Sequence, residues 1–127
     1  MEFNKNAINW FEIPVTDFER AKQFYSAIFD FEMPEMMMDA IRMGFLLYDQ
    51  ENEGVGGAIV HGEGCVPSEA GARVYLNGGS DLNIVLNRVE NAGGAVVLPK
   101  TDIGSGFGFF ALFKDTEDNL LGLHSMA

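Results

Sequence analysis

The sequence predicts an α+β fold, two tandem βαβββ modules whose curved sheets enclose a cleft. Three observations predict it. A strand-then-helix pattern near residue 10 recurs near residue 75. The two helix starts, at Asp17 and Asp81, lie half a chain apart in 127 residues. A Gly- and Pro-bearing stretch from Glu63 to Ala72 separates the two copies. The first module runs over about 8–60 and the second over about 73–124 of a single domain, 1–127.

In the first copy, Ile8 to Val15 alternates, with Phe11, Ile13 and Val15 on one face and Trp10 and Glu12 on the other. Thr16-Asp17-Phe18-Glu19 reads as a capping box in which the Thr16 hydroxyl and the Glu19 carboxylate serve opposite ends. Phe18, Ala21, Phe24, Tyr25, Ile28 and Phe29 then recur at spacings of three and four, the stripe of an amphipathic helix that ends near Asp30. A methionine-rich segment, Met33 to Met38, follows, and its softness suits adaptable packing. Then come an apolar run from Ile41 to Tyr48, a turn over Asp49 to Gly54, and a strand through Gly56-Gly57-Ala58-Ile59-Val60.

The second copy opens with Arg73-Val74-Tyr75-Leu76-Asn77, Val74 and Leu76 sharing one face and Arg73, Tyr75 and Asn77 the other. Ser80 or Asp81 caps a helix carrying Leu82, Val85, Leu86, Val89 and Ala92, and Gly93-Gly94 stops it. Strands are expected at Ala95 to Leu98, Phe107 to Phe113 and Leu120 to His124, the last two joined by a turn at Asp115 to Asn119. One βαβββ unit has a helix on one sheet face and nothing on the other, so two such units bury their bare faces by curling toward each other.

Bulk composition narrows the function. The formal charge is −11, and the eight Lys and Arg residues form no cluster, so nucleic acid and anionic membrane surfaces are poor partners. No apolar stretch approaches the ~20 residues of a membrane span. The N-terminal residues lack the layout of a signal peptide. Cys65 is the only cysteine, which excludes an internal disulfide and leaves a thiol with no basic neighbour to activate it. A cytoplasmic location is the expectation. The acidity serves solubility, and any part of it that faces the cleft attracts a cationic ligand.

Three stretches resemble the vicinal oxygen chelate superfamily, which holds glyoxalase I, bleomycin-resistance proteins and extradiol dioxygenases. They are Val15 to Tyr25 with its preceding strand, Val89-Glu90-Asn91-Ala92-Gly93-Gly94, and Asp115 to His124, where Asp118 stands at a usual glycine. The resemblance implies paired βαβββ modules, a homodimer, and a cavity that in many members holds a divalent metal. It also implies where the metal ligands would lie: Trp10 on the first strand, Arg73 (or Val74 if the register slips by one) on its counterpart, and Gly57 and Gly122 on the last strands. None of these ligates a metal, so neither a metal nor another cofactor is expected.

The cavity-lining residues expected from alternation are Trp10, Glu12, Arg73, Tyr75, Asn77 and His124. Glu12 is the candidate base or cation partner, and Arg73 the candidate clamp for a carboxylate or phosphate; the two also fit a plain salt bridge or exposed strand positions. Tyr75 and Asn77 are candidate hydrogen-bonding groups. His124, near the C-terminus, equally fits a solvated side chain, and His61 more so. The function expected is binding of a small molecule without the usual metal. The rival is a glyoxalase-like lyase or isomerase with Glu12 as base, and a third reading is a subunit whose surface now binds protein.

Overall fold

The computed structural model describes residues 5–127. The first half contains β1 (Trp10–Pro14), α1 (Phe18–Phe29), β2 (Glu35–Met38), β3 (Ile41–Phe45) and β4 (Gly56–His61). The second contains β5 (Tyr75–Asn77), α2 (Asn83–Val89), β6 (Ala95–Asp102), β7 (Phe109–Lys114) and β8 (Leu120–Ser125). Each half is one four-stranded mixed sheet of the same order, β1-β4-β3-β2 and β5-β8-β7-β6. In each, the first strand pairs in parallel with the last. The predicted βαβββ repeat is therefore present, with the methionine-rich segment forming the edge strand β2.

One hydrophobic core serves both halves. It contains Ile13, Val15 and Ile59 from the first sheet, Phe24 and Ile28 from α1, Leu86 and Val89 from α2, and Phe113, Leu121 and Leu123 from the second sheet. Phe24 spans the seam: its ring lies 6.1 Å from Phe113 and 4.9 Å from Tyr25, and Gly94 leaves room for its edge. A side chain at Gly94 would meet both that ring and the Lys114 carbonyl, so close packing requires a glycine here.

The helix ends differ from expectation. Asp17, not Thr16, is the N-cap of α1, its carboxylate accepting from Arg20 N at 3.1 Å. Glu19 turns outward to Arg42 instead of closing a capping box. At α2 neither Ser80 nor Asp81 is the cap. Leu82 occupies that position with no side-chain bond, while Asp81 accepts from Asn83 N at 2.9 Å, a turn closed two residues on. Leu82 N is instead satisfied by Ser125 Oγ, a partner far along the chain that no local pattern reveals.

The turn between β7 and β8 clasps the two halves together. Glu117, buried in the second half, accepts from the backbone N–H groups of Thr16 and Asp17 at 2.9 and 2.7 Å and from Arg20 Nε at 2.7 Å. Tyr25 donates to Asp115 at 2.6 Å, and Asn119 Nδ2 donates to the Pro14 carbonyl at 2.7 Å. Asp115 also accepts from the N–H groups of Glu117 and Asn119. Burial raises the Glu117 pKa, but the Arg20 guanidinium and three further donors outweigh it and hold the carboxyl below its ordinary value. Burial raises the pKa of Asp115, against the pull of its Tyr25 and Asn119 donors. The Tyr25 hydroxyl is pushed well up by burial and by the adjacent Asp115.

Candidate functional site

Each sheet has one face against the shared core and one free of helices, and strand register decides which side chains stand on each. In the first sheet Trp10 aligns with Gly56, Glu12 with Ala58 and Pro14 with Val60, all on the helix-free face. Trp10 meets Phe45 at 6.1 Å and Tyr48 at 6.2 Å, both edge-on. Met43, Ala58 and Val60 form the floor beneath them. Glu12 is exposed beside this aromatic group.

In the second sheet Tyr75 aligns with Gly122 and Asn77 with His124. These residues stand on the helix-free face with Phe110, whose ring lies 6.4 Å from Tyr75. Tyr75, Asn77 and His124 line one shallow depression, and His124 Nε2 lies 2.8 Å from the Phe107 carbonyl. His61 alternates onto the other face, at the exposed end of β4, with Nδ1 3.2 Å from the Val15 carbonyl.

The register moves two positions from where the sequence placed them. Gly57 turns to the core side, beneath the Phe11 ring, and Gly56 stands opposite Trp10. In the second half the residue opposite the equivalent glycine is Tyr75, so Tyr75, not Arg73, is the counterpart of Trp10. The four positions that would present metal ligands are thus Trp10, Gly56, Tyr75 and Gly122, and their donor set does not fit a divalent metal. The space is also taken: a side chain at Gly56 would run into the Tyr48 ring, and one at Gly122 into the Tyr75 ring. Among the described residues no three His, Cys, Asp or Glu side chains gather as a metal-binding group.

The sheets do not close on each other within one chain, so the expected cleft between bare faces is not enclosed by a single copy. The physical reason is the shared core: both helices lie between the halves and hold the bare faces apart. A cavity of about 870 Å³ lies elsewhere, in a groove between the halves at the end away from the Glu117 clasp. Arg73, Tyr75 and Asn77 border it, together with Phe11, Phe29 and Arg88. Glu12 lines a different, smaller depression with Asn119 and Val66, which meets the groove at Ala72 and Val74.

Paired βαβββ sheets carrying a helix-free face apiece define the class of fold, and the sequence match makes it specific. The model of the Glyoxalase/Bleomycin resistance protein/Dioxygenase superfamily matches residues 7–123, and the chain belongs to that superfamily. Among solved structures, a point mutant of glyoxalase I from Zea mays superposes with a TM-score of 0.70 at 19% identity, over 92% of this chain and 45% of the maize chain. This chain thus spans less than half of that enzyme. TnmS3, an antibiotic binding protein from Streptomyces sp. CB03234, superposes with a TM-score of 0.62 at 20% identity, over 98% of both chains. A point mutant of the fosfomycin resistance protein FosX from Listeria monocytogenes does so with 0.65 at 16% identity, over 94% of this chain and 89% of that one. At these identities the likeness shows the fold. Among curated proteins none matches the sequence significantly. No helix among the described residues is long and apolar enough to cross a membrane.

Proposed function

We propose that this is a cytoplasmic, homodimeric small-molecule-binding protein that works without the divalent metal of many relatives, holding a flat ligand on the helix-free face of its first sheet. The observation that carries the reading is the edge-on cluster of Trp10, Phe45 and Tyr48 with Glu12 on the same face. Three rings over an apolar floor offer stacking surface, and the adjacent carboxylate favours a positive ligand. A cation over such ring faces gains about 0.5–2 kcal/mol. A second copy supplies the cover that one chain lacks, since each sheet exposes large apolar side chains on its bare face, Met36 and Tyr75 among them. The antibiotic-binding relative TnmS3, whose fold aligns from end to end, supports the binding reading over a catalytic one.

Trp10 is the only tryptophan, so its fluorescence reports this face alone. Titration with a planar aromatic cation is expected to quench it, with binding weakened several-fold by Glu12→Gln and by added salt. A planar anion of the same size is expected to leave the fluorescence unchanged. Equal quenching by both would overturn the cation preference. Elemental analysis finding about one tightly held Zn, Ni or Fe per chain would overturn the metal-free reading.

A further inference from the structure

The groove between the halves has a charge character opposite to that of the whole molecule. The chain carries nineteen Asp and Glu residues against eight Lys and Arg, yet among the described residues no carboxylate lines this groove, while two arginines do. Five of the eight cations are engaged in ion pairs: Arg20, Lys22, Arg42, Lys100 and Lys114. Of the remaining three, Arg73 and Arg88 both border the groove.

Arg88 is fixed in place. It is half-buried on α2, and its Nη1 donates to the Ile28 carbonyl near the end of α1 at 3.1 Å. That bond orients the guanidinium and leaves its other N–H groups for a further acceptor. Strand β5 contributes as well. Val74 and Gly78 direct their backbone groups to β8, through Gly122 N to Val74 O and Gly78 N to His124 O. Alternation therefore turns the amides of Tyr75 and Asn77 to the open edge of the strand, which borders the groove. The rest of the wall is apolar: Phe11, Phe29, Leu46 and Val85 inside, with Leu47 and Ile84 exposed at the mouth.

We infer that this groove is a second ligand site, distinct from the aromatic face, and that it takes an apolar monocarboxylate. The chain or ring lies against Phe11, Phe29 and Val85, and the carboxylate is held by Arg88 and Arg73. The volume of about 870 Å³ accommodates a medium-length hydrocarbon body. A guanidinium recognises a carboxylate through paired N–H groups, which an alcohol or an ammonium cannot satisfy. The inference does not rest on the proposed role of the aromatic face, which prefers the opposite charge.

The test is calorimetric titration with decanoate, 1-decanol and decyltrimethylammonium, which share one chain and differ in charge. Decanoate is expected to bind at least about tenfold more tightly than either of the others, without quenching Trp10. Arg88→Met is expected to weaken decanoate at least about tenfold while decanol is unaffected. Because Arg88 also holds α1, two variants at exposed positions guard against misfolding. Arg73→Met is expected to weaken decanoate several-fold, and Ile84→Glu to abolish decanoate binding while improving that of the ammonium. Equal affinity for the three probes, or decanoate affinity indifferent to Arg73→Met and Ile84→Glu, would overturn the inference. So would decanoate competing with the planar cation for Trp10, or groove variants that split a dimer without altering decanoate binding.

Discussion

The two halves share strand order and helix placement, but their turns between the third and fourth strands behave oppositely. In the second half the turn at Asp115 to Asn119 buries Asp115, Glu117 and Asn119 and holds the start of α1. In the first half the turn at Asp49 to Gly54 is exposed and bonds only within itself, Asp49 accepting from Asn52 and from Gly54 N. The helix-free faces diverge similarly, aromatic and sulfur-rich in the first half, polar around Tyr75, Asn77 and His124 in the second. A duplicated frame has kept the geometry that builds the core and let go of symmetry wherever a side chain faces solvent, a ligand or the other half.

The largest effect expected is from removing the side chain that joins the halves. Phe24→Ala opens a cavity between α1, Phe113 and Gly94, and is expected to destabilise by about 3–5 kcal/mol in urea unfolding. If the halves were independent, the variant would unfold in two steps; a shared core predicts one transition.

Next in size is the clasp itself. Glu117→Gln replaces a buried carboxylate that accepts from two backbone N–H groups and Arg20, and is expected to cost about 1–3 kcal/mol at pH 7. The matching change in the other turn, Asp49→Asn, is expected to fall within about 0.5 kcal/mol. The Glu117 pKa is depressed in the folded state, so its contribution is present above the unfolded carboxyl pKa and is lost as pH falls through the folded value. The gap between wild type and Glu117→Gln should therefore narrow on acidification below that range. A gap that stayed constant would remove ionisation from the account of the clasp. Asp115 has the opposite sign, since its pKa is raised, and partly offsets the loss.

Tyr25→Phe takes one of the donors from Asp115 and is expected to cost about 1–2 kcal/mol in the same measurement. The smallest effect is a gain. Asp30 ends α1 in the left-handed region at φ 52°, and Asp30→Gly is expected to stabilise by up to about 1 kcal/mol, read as a small rise in Tm.

The fold is legible in the sequence because it follows from periodicities that every half must satisfy on its own. Phe11, Ile13 and Val15 alternate into the core, and the stripe from Phe18 to Ile28 is buried as its spacing requires. The caps are less legible, because Leu82 N is satisfied by Ser125 across the fold and not by its neighbours. The clasp escapes sequence reasoning, although one signal is present: Tyr25 on an apolar helix stripe needs a buried partner for its hydroxyl. At the site, alternation correctly groups Trp10 with Glu12, and Tyr75 with Asn77 and His124. It misplaces Gly57 by one residue and gives Trp10's counterpart as Arg73 or Val74 where register gives Tyr75, because a glycine pair carries no pattern that fixes register. That a cavity of about 870 Å³ lies between the halves depends on how the two cores merge, which no local pattern contains.

The edge strand β2 exposes three thioethers in succession, Met36, Met37 and Met38, while Met33 and Met43 are buried. Oxidants reach sulfur according to exposure, and a sulfoxide is polar where a thioether is not. Within the sheets, ageing of this protein in air or peroxide should begin at that rim, with Met36 and Met38 standing on the bare face opposite Met43 and Ile41. Peptide mapping after mild peroxide is expected to find Met36, Met37 and Met38 modified early, together with the exposed Met126, and Met33 last. The wear would wet the aromatic face from its border inward while leaving the shared core dry.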